Sequence, residues 1–133
     1  MYMLDTNICI YIIKKKTKNV LGKLKQNWEK GLYISTITLA ELESGIANAD
    51  NSYKERNRLA LLEFLTIMNI KHFDELAAIE YGALKKDLID SNNYIGSFDL
   101  LIAAHAKSLN MILVTNKVGE FEQIQNLRIE NWV

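Results

Sequence analysis

Four acidic residues and one asparagine lie just beyond apolar segments of this chain. They are Asp5, Glu41, Asp99, Asn116 and Glu120. If those segments belong to a parallel sheet with helices around it, the five side chains meet at one edge, where such sheets bind ligands. Several carboxylates at one edge would repel each other unless a hard cation lay between them, and Mg²⁺ accepts oxygen ligands. The pattern therefore predicts a Mg²⁺ site, with Mn²⁺ as the alternative ion, and Asp5 and Asp99 as the leading ligands.

Each acid also has an ordinary structural explanation, which stays open at this point. Asp5 could cap the helix that follows it, because Asp side chains accept hydrogen bonds from free N–H groups. Thr38 and Glu41 have the spacing of a capping box. Asp99 could be a first-turn acid favoured by the helix dipole, with Ser97 as the cap. Independent caps, however, have no reason to converge on one edge of one sheet.

A second glutamate competes with Glu41 for the same place. Glu43 lies two residues further along the predicted helix, so the two side chains point about 200° apart. Only one of them can face the predicted site. We take it to be Glu41, which lies just past the predicted strand at residues 32–35.

Other catalytic chemistry has little support in the sequence. The chain has no Gly-x-Gly-x-x-Gly, Walker or Gly-x-Ser-x-Gly motif, which argues against dinucleotide, P-loop and serine-hydrolase functions. His105 lies in an apolar helical segment, as core histidines often do, and Cys9 is expected to pack inside. A single cysteine excludes an internal disulfide and fits a reducing compartment.

Helices and strands alternate along the chain. Apolar spacing predicts strands at residues 1–4, 32–35, 70–73, 111–115 and 128–132, and helices at residues 7–16, 20–28, 39–49, 58–66, 74–89 and 99–109. The predicted apolar faces are Leu59, Leu62 and Leu65 on the fourth helix and Leu76, Ile79, Ala83 and Leu84 on the fifth. This alternation predicts an α/β fold with three layers, α/β/α, around a mainly parallel sheet.

Composition is that of one ordinary globular domain. The 133 residues are 49% hydrophobic and 24% charged with zero net charge, so a single domain over residues 1–133 is expected. No apolar run reaches membrane-spanning length, and the chain starts without a signal-peptide pattern, so a cytoplasmic location is predicted. Residues 1–30 carry seven lysines and two acids, which favours a basic face or merely solvated helices.

Five short blocks resemble a known family. They are Met-Leu-Asp-Thr-Asn from residue 3, Thr-Leu-Ala-Glu-Leu from residue 38 with Gly45, Asp-Leu-Leu-Ile-Ala-Ala-His-Ala from residue 99, Val-Thr-Asn from residue 114 with Glu120 and Phe121, and Glu-Asn-Trp from residue 130. Each block alone is weak, but in this order and at these spacings they resemble PIN-domain toxins of the VapC type. The resemblance spans residues 3 to 132.

The resemblance implies a PIN-like fold and a metal-dependent endoribonuclease, the toxin of a type II toxin–antitoxin pair. Asp5, Glu41 and Asp99 match the core acids of the family, and Glu120 matches a further acid that completes the site. Thr6, Thr115 and Asn116 match supporting positions. Implied partners are a small VapB-like antitoxin that blocks the site and contacts DNA, an RNA substrate with transfer RNA as one candidate, and a second copy in a homodimer.

The chain departs from the family pattern near its last acid. Gly119 stands where an arginine commonly precedes the Glu-Phe pair, and Lys117 stands where a second asparagine is usual. None of the acids is lost, so these departures bear on substrate preference more than on the chemistry.

Two other functions fit an acidic sheet edge. A receiver-like signalling domain also binds Mg²⁺, but it would need adjacent acids after the first strand and usually a proline near its lysine. This chain has the pair Asp5 and Thr6 and no proline. A non-catalytic PIN-like partner-binding domain would keep the same residues and stays open.

Overall fold

The sheet is built from five short strands, all parallel. The computed structural model describes residues 1–133, with strands β1 (Tyr2–Leu4), β2 (Leu32–Ser35), β3 (Asn69–Lys71), β4 (Ile112–Val114) and β5 (Ile129–Glu130). The helices are α1 (Thr6–Ile13), α2 (Lys18–Asn27), α3 (Thr36–Ala47), α4 (Asn51–Leu65), α5 (Glu75–Asp90), α6 (Ser97–Ser108) and α7 (Val118–Phe121), with one 3₁₀ turn at Trp28–Lys30. The strand order is β3-β2-β1-β4-β5, which confirms the parallel sheet.

Alternation along β1 divides the core into two halves. Tyr2 and Leu4 pack in one apolar cluster with residues of α1, α2 and α4, whereas Met3 packs in the other with residues of α5 and α6. Successive strand residues point to opposite faces, so a central strand buried on both sides is apolar throughout. This arrangement confirms the three-layer α/β/α architecture.

Several element boundaries differ from the sequence prediction. Helix α3 begins at Thr36 because the Ser35 hydroxyl caps it, accepting from Ile37 N at 3.0 Å. Helix α4 begins at Asn51, seven residues before the predicted start, and β3 begins at Asn69. The one-turn helix α7 was not predicted, because four residues carry too little periodicity.

The predicted apolar faces of α4 and α5 were wrong in part. Leu59 is 60% exposed and Ile79 is 70% exposed. On α4 the buried positions are Leu61 and Phe64. On α5 the predicted Leu84 is buried as expected, together with Ala77 and Leu88. Both helices carry apolar residues on more than one side, and the neighbouring helices (α1 and α3 for α4, α6 for α5) cover only one of these sides. Periodicity alone could not choose between these sides.

No helix combines the length and the apolar character needed to cross a membrane.

Candidate active site

Asp5 is fixed at the carboxyl end of the central strand. Its backbone N–H donates to Val114 O at 3.0 Å, which holds it beside the end of β4. Its side chain caps α1, with Oδ1 accepting from Ile8 N at 2.9 Å, and the residue is 1% exposed. The capping role expected for Asp5 is confirmed. This capping role coexists with the position at the sheet edge, because the cap uses Oδ1.

Glu41 reaches the same edge from α3. Thr6 Oγ1 donates to Glu41 Oε1 at 2.6 Å and lies 3.3 Å from Thr38 Oγ1. The capping-box alternative was wrong, because α3 starts two residues before Thr38 and Ser35 is its cap. Thr6, the residue after Asp5, therefore orients Glu41 towards α1.

Glu43 faces away from this edge. It forms a paired contact with Arg58 of α4, with both oxygen–nitrogen distances at 2.6 Å. The hydrogen bonds with Arg58 lower the pKa of Glu43. Of the two glutamates, Glu41 is therefore the one that faces α1.

Asp99 lies in the first turn of α6 and is paired with a lysine. Lys117 Nζ is 2.9 Å from Asp99 Oδ2. The lysine backbone N–H donates to Thr115 Oγ1 at 2.9 Å, so the turn after β4 positions the ammonium group. Ser97 supplies no cap, since Gly96 occupies the cap position without a side-chain hydrogen bond; that part of the structural alternative was wrong.

Asn116 and Glu120 complete this edge. Asn116 Oδ1 is buried and has no hydrogen-bond partner, which is rare for a buried polar atom. Glu120 lies in the first turn of α7, and its charge acts on Lys117. We call Asp5, Glu41, Asp99 and Glu120 the acidic cluster.

Charges at this edge influence one another. Burial raises the pKa of Asp5, and the negative charge of Asp99 raises it further, while Thr115, Ile8 N–H and Lys117 oppose the rise. Burial lowers the pKa of Lys117, but the hydrogen bond to Asp99 and the charges of Asp99, Glu120 and Asp5 outweigh it, so the net pKa is raised. The residues thus lie within electrostatic reach of each other.

The acids are near one another without forming a closed set of ligands. No three His, Cys, Asp or Glu side chains are arranged closely enough to hold a metal ion. The sequence analysis noted Lys117 as a departure but did not place it in this cluster. Its position two residues after Thr115, at the end of β4, was the signal that could have done so.

The two remaining polar candidates belong to the core. His105 Nδ1 lies 2.8 Å from Ser35 Oγ, and its ring packs edge-on against Phe73. Cys9 is fully buried, and burial, followed by the charges of Asp5 and Glu41, raises the pKa of its thiol. A thiol of this kind is a poor nucleophile.

One cleft adjoins the acidic cluster. It measures about 410 Å³ between α1, α3 and α4, and Glu41 lines it together with apolar residues such as Ile10, Leu42 and Ile46 and the basic residues Lys14 and Arg56. A larger cleft of about 540 Å³ lies beside Leu88 and Ile124, and no residue of the acidic cluster lines it.

Comparison with known proteins places this geometry in a family. The PIN domain model matches residues 2–125. The chain belongs to the PIN-domain family. Ribonuclease VapC2 of Haemophilus influenzae is 42% identical to this PIN domain over 132 residues, covering 99% of this chain and 98% of that protein. The tRNA(fMet)-specific endonuclease VapC of Shigella flexneri is 39% identical over 132 residues, covering 98% and 97%.

Solved structures agree with the family assignment. The crystal structure of VapBC2 from Rickettsia felis, bound to a DNA fragment from its promoter, matches this PIN domain with a TM-score of 0.93. It is 40% identical and covers 99% of this chain and 98% of that one. The structure of VapBC from Salmonella typhimurium bound to DNA matches with a TM-score of 0.92 at 36% identity, covering 99% of this chain and 98% of that one. The resemblance to VapC-type PIN domains is confirmed, and a receiver-like domain is not supported.

Proposed function

We propose that this PIN domain is a metal-dependent endoribonuclease and the toxin of a type II toxin–antitoxin pair. The observation that carries the proposal is the pairing of Asp5, buried at the end of β1, with Asp99 at the start of α6. Burial, and then the negative charge of Asp99, raises the pKa of Asp5. Perturbed carboxyl groups at the edge of a parallel sheet are typical of functional sites. The names of the relatives support RNA as the substrate.

The residues present fit a hard divalent cation. The acidic cluster offers carboxylate oxygens as metal ligands, which is what such an ion prefers. Asn116 Oδ1 is buried without a hydrogen-bond partner, and the ion or one of its waters could be that partner. Asp5 and Asp99 would hold the ion, with Glu41 and Glu120 as further ligands or supports of its waters. Mg²⁺ is the proposed ion and Mn²⁺ the alternative. When bound, such an ion lowers the pKa of a coordinated water and offsets negative charge on the phosphate.

The protein side chains have separate tasks in the proposed reaction. Water attacks the phosphorus, the bond to the 3′ oxygen breaks, and the products are a 5′-phosphate and a 3′-hydroxyl. The α1 cap holds Asp5 in place, because its Oδ1 accepts from Ile8 N–H. Thr6 fixes one oxygen of Glu41, and Thr115 fixes the turn that carries Asn116. These contacts preorganise the carboxylates before RNA binds.

A small antitoxin is the proposed protein partner. The solved relatives include VapBC complexes, two of them bound to DNA. The cleft beside Glu41 has apolar walls and two basic residues, Lys14 and Arg56. An acidic and apolar antitoxin segment lying there would end next to the cluster and block it. A homodimer, DNA contact through the antitoxin and a cytoplasmic location complete the proposal.

Transfer RNA is the proposed first substrate to test, since two relatives are named tRNA(fMet)-specific endonucleases. Purified protein would be incubated with a mixed transfer RNA pool in Mg²⁺ and in EDTA. Asp99→Asn would be tested in Mg²⁺, with Glu43→Gln as the matched control because Glu43 faces Arg58. Discrete fragments from the native protein and Glu43→Gln in Mg²⁺ alone are expected. Equal cleavage by Asp99→Asn or in EDTA would contradict the proposal, and intact RNA in every arm would favour the partner-binding alternative.

A further inference from the structure

Lys117 places a positive charge inside the acidic cluster. Its Nζ lies 2.9 Å from Asp99 Oδ2, and the side chains of Lys117 and Asp99 are 36% and 19% exposed. The other exposed lysine–aspartate pair of the chain, Lys86 and Asp90 on α5, is 73% and 60% exposed. Surface pairs of that kind contribute little and are screened by solvent. The Lys117–Asp99 pair is more sheltered, and the charges of Asp99, Glu120 and Asp5 all act to raise the pKa of Lys117.

The backbone prevents this lysine from drifting away from the cluster. Lys117 is the residue that precedes α7, and its N–H is bonded to Thr115 Oγ1 at the end of β4. The side chain is therefore tethered at a point from which Asp99, Glu120 and Asp5 all attract its ammonium group. A flexible four-carbon stem carries the charge, so the ammonium can leave Asp99 without any change in the backbone.

A divalent cation bound by the Asp99 carboxylate would lie close to the ammonium group that contacts Oδ2. Asp99 Oδ2 accepts the lysine hydrogen bond, and two cations cannot share one carboxylate oxygen without strong repulsion. Asn116 Oδ1, unpaired and buried next to Lys117 in sequence, is not satisfied by the lysine.

We propose that Lys117 is a built-in counter-cation: it neutralises Asp99 while the cluster is empty, must leave Asp99 when a divalent cation binds, and thereby weakens the affinity for that cation. This inference rests on the proposed metal dependence. It assigns to Lys117 a role in setting the cation concentration at which the site fills.

Calorimetric titration with Mg²⁺, and separately with Mn²⁺, tests the inference without any RNA. Lys117→Met keeps the length and removes the charge, Lys117→Arg keeps the charge, and Lys86→Met removes a lysine from the exposed pair on α5 as the control. Lys117→Met is expected to bind Mg²⁺ about tenfold more tightly, about 1.4 kcal/mol. Lys117→Arg and Lys86→Met should stay within about threefold of the native affinity.

A second measurement separates charge from damage to the fold. In EDTA, Lys117→Met leaves Asp99 and Asp5 without a neighbouring cation, so its unfolding temperature should be lower than that of the native protein and should recover more on adding Mg²⁺. Circular dichroism would check the fold, and Lys117→Asn would replace a variant that fails to fold. Equal Mg²⁺ affinity in Lys117→Met and native protein, or an equal increase in Lys86→Met, would overturn the inference.

Failure of the inference and failure of the proposed function give different results. If Asp99→Asn abolishes Mg²⁺ binding and cleavage while Lys117→Met changes neither affinity nor stability, only the counter-cation role is wrong. The native protein could instead cleave RNA in EDTA, with neither it nor Lys117→Met binding Mg²⁺. In that case the metal dependence is wrong, and the counter-cation role is overturned with it.

Discussion

Replacing Asp5 with asparagine should destroy activity and at the same time stabilise the ion-free protein. The asparagine has the same size and is as good a helix cap as aspartate, so the bond to Ile8 N at 2.9 Å can be kept. The change removes a negative charge that is 1% exposed and lies near Asp99. Cleavage should fall at least about 100-fold, because even indirect supports of a metal ligand are worth about 10- to 100-fold.

The expected gain in stability depends on pH. Burial, then the charge of Asp99, raises the pKa of Asp5 in the folded protein. The unfolded chain therefore releases this proton at a lower pH than the folded chain, so the ionised carboxylate opposes folding once the pH has risen through the folded pKa. Asp5→Asn should match the native protein at strongly acidic pH and exceed it at neutral pH. The expected excess is about 0.5–2 kcal/mol, the range typical of relieving a functional site.

A third variant divides this free energy into charge and cap. Asp5→Ala also removes the charge but loses the bond to Ile8 N, which costs about 1 kcal/mol, so it should be less stable than Asp5→Asn by that amount. Asp90→Asn, which changes an exposed aspartate on α5, should change stability by no more than about 0.5 kcal/mol and leave cleavage unchanged.

Urea unfolding in EDTA between pH 4 and pH 8 is the assay. In thermal unfolding, each kcal/mol that Asp5→Asn adds to the free energy of unfolding should raise the unfolding temperature of a chain of this size by roughly 4 °C. Adding Mg²⁺ should then stabilise the native protein by ligand binding and leave Asp5→Asn unchanged. If Asp5→Asn is less stable than the native protein at neutral pH in EDTA, or if the difference does not vary with pH, the electrostatic account of Asp5 is refuted.

Three further predictions concern neighbouring elements. Glu41→Gln should lower the cleavage rate about tenfold or more, whereas Glu43→Gln should leave the rate unchanged. The reason is that Thr6 holds Glu41 beside Asp5, while Arg58 holds Glu43 on the other side of the helix. Similar cleavage rates of the two variants in a side-by-side assay would contradict this. Trp132→Ala should lower the free energy of unfolding, measured in urea, by about 3–5 kcal/mol. Trp132 is 2% exposed, and its ring centroid lies 5.3 Å from that of Tyr2. A decrease below about 1 kcal/mol would argue against this packing. Burial lowers the pKa of His105 in the folded protein, so as the pH falls the unfolded chain binds a proton before the folded chain does. The free energy of unfolding should therefore fall as the pH drops below about 6.5, and more steeply in the native protein than in His105→Gln. An equal pH dependence of stability in the two proteins would rule this out.

Much of the fold was predictable because its signals are local. Apolar runs of three or four residues mark β1, β2 and β4. The acids that follow them lie at one sheet edge because parallel strands share their direction. Weaker elements escaped. The one-turn helix α7 has too few residues for a periodic signal, and the polar first half of α4 hides its start at Asn51.

Sequence order alone determined where the four acids of the cluster lie along the chain. Asp5 follows the end of a strand, and Glu41, Asp99 and Glu120 follow the starts of helices. A parallel α/β sheet brings such positions to one edge. Tertiary structure decided what each side chain does there. Glu41 meets Thr6 instead of closing a capping box, Glu43 is taken by Arg58, and Lys117 enters the cluster to bind Asp99. Hydrogen bonds between residues 15 to 35 positions apart have no periodic trace in a sequence. They form only when packed helices and strands set the distance and direction between the groups, so the identity of each partner belongs to the folded state.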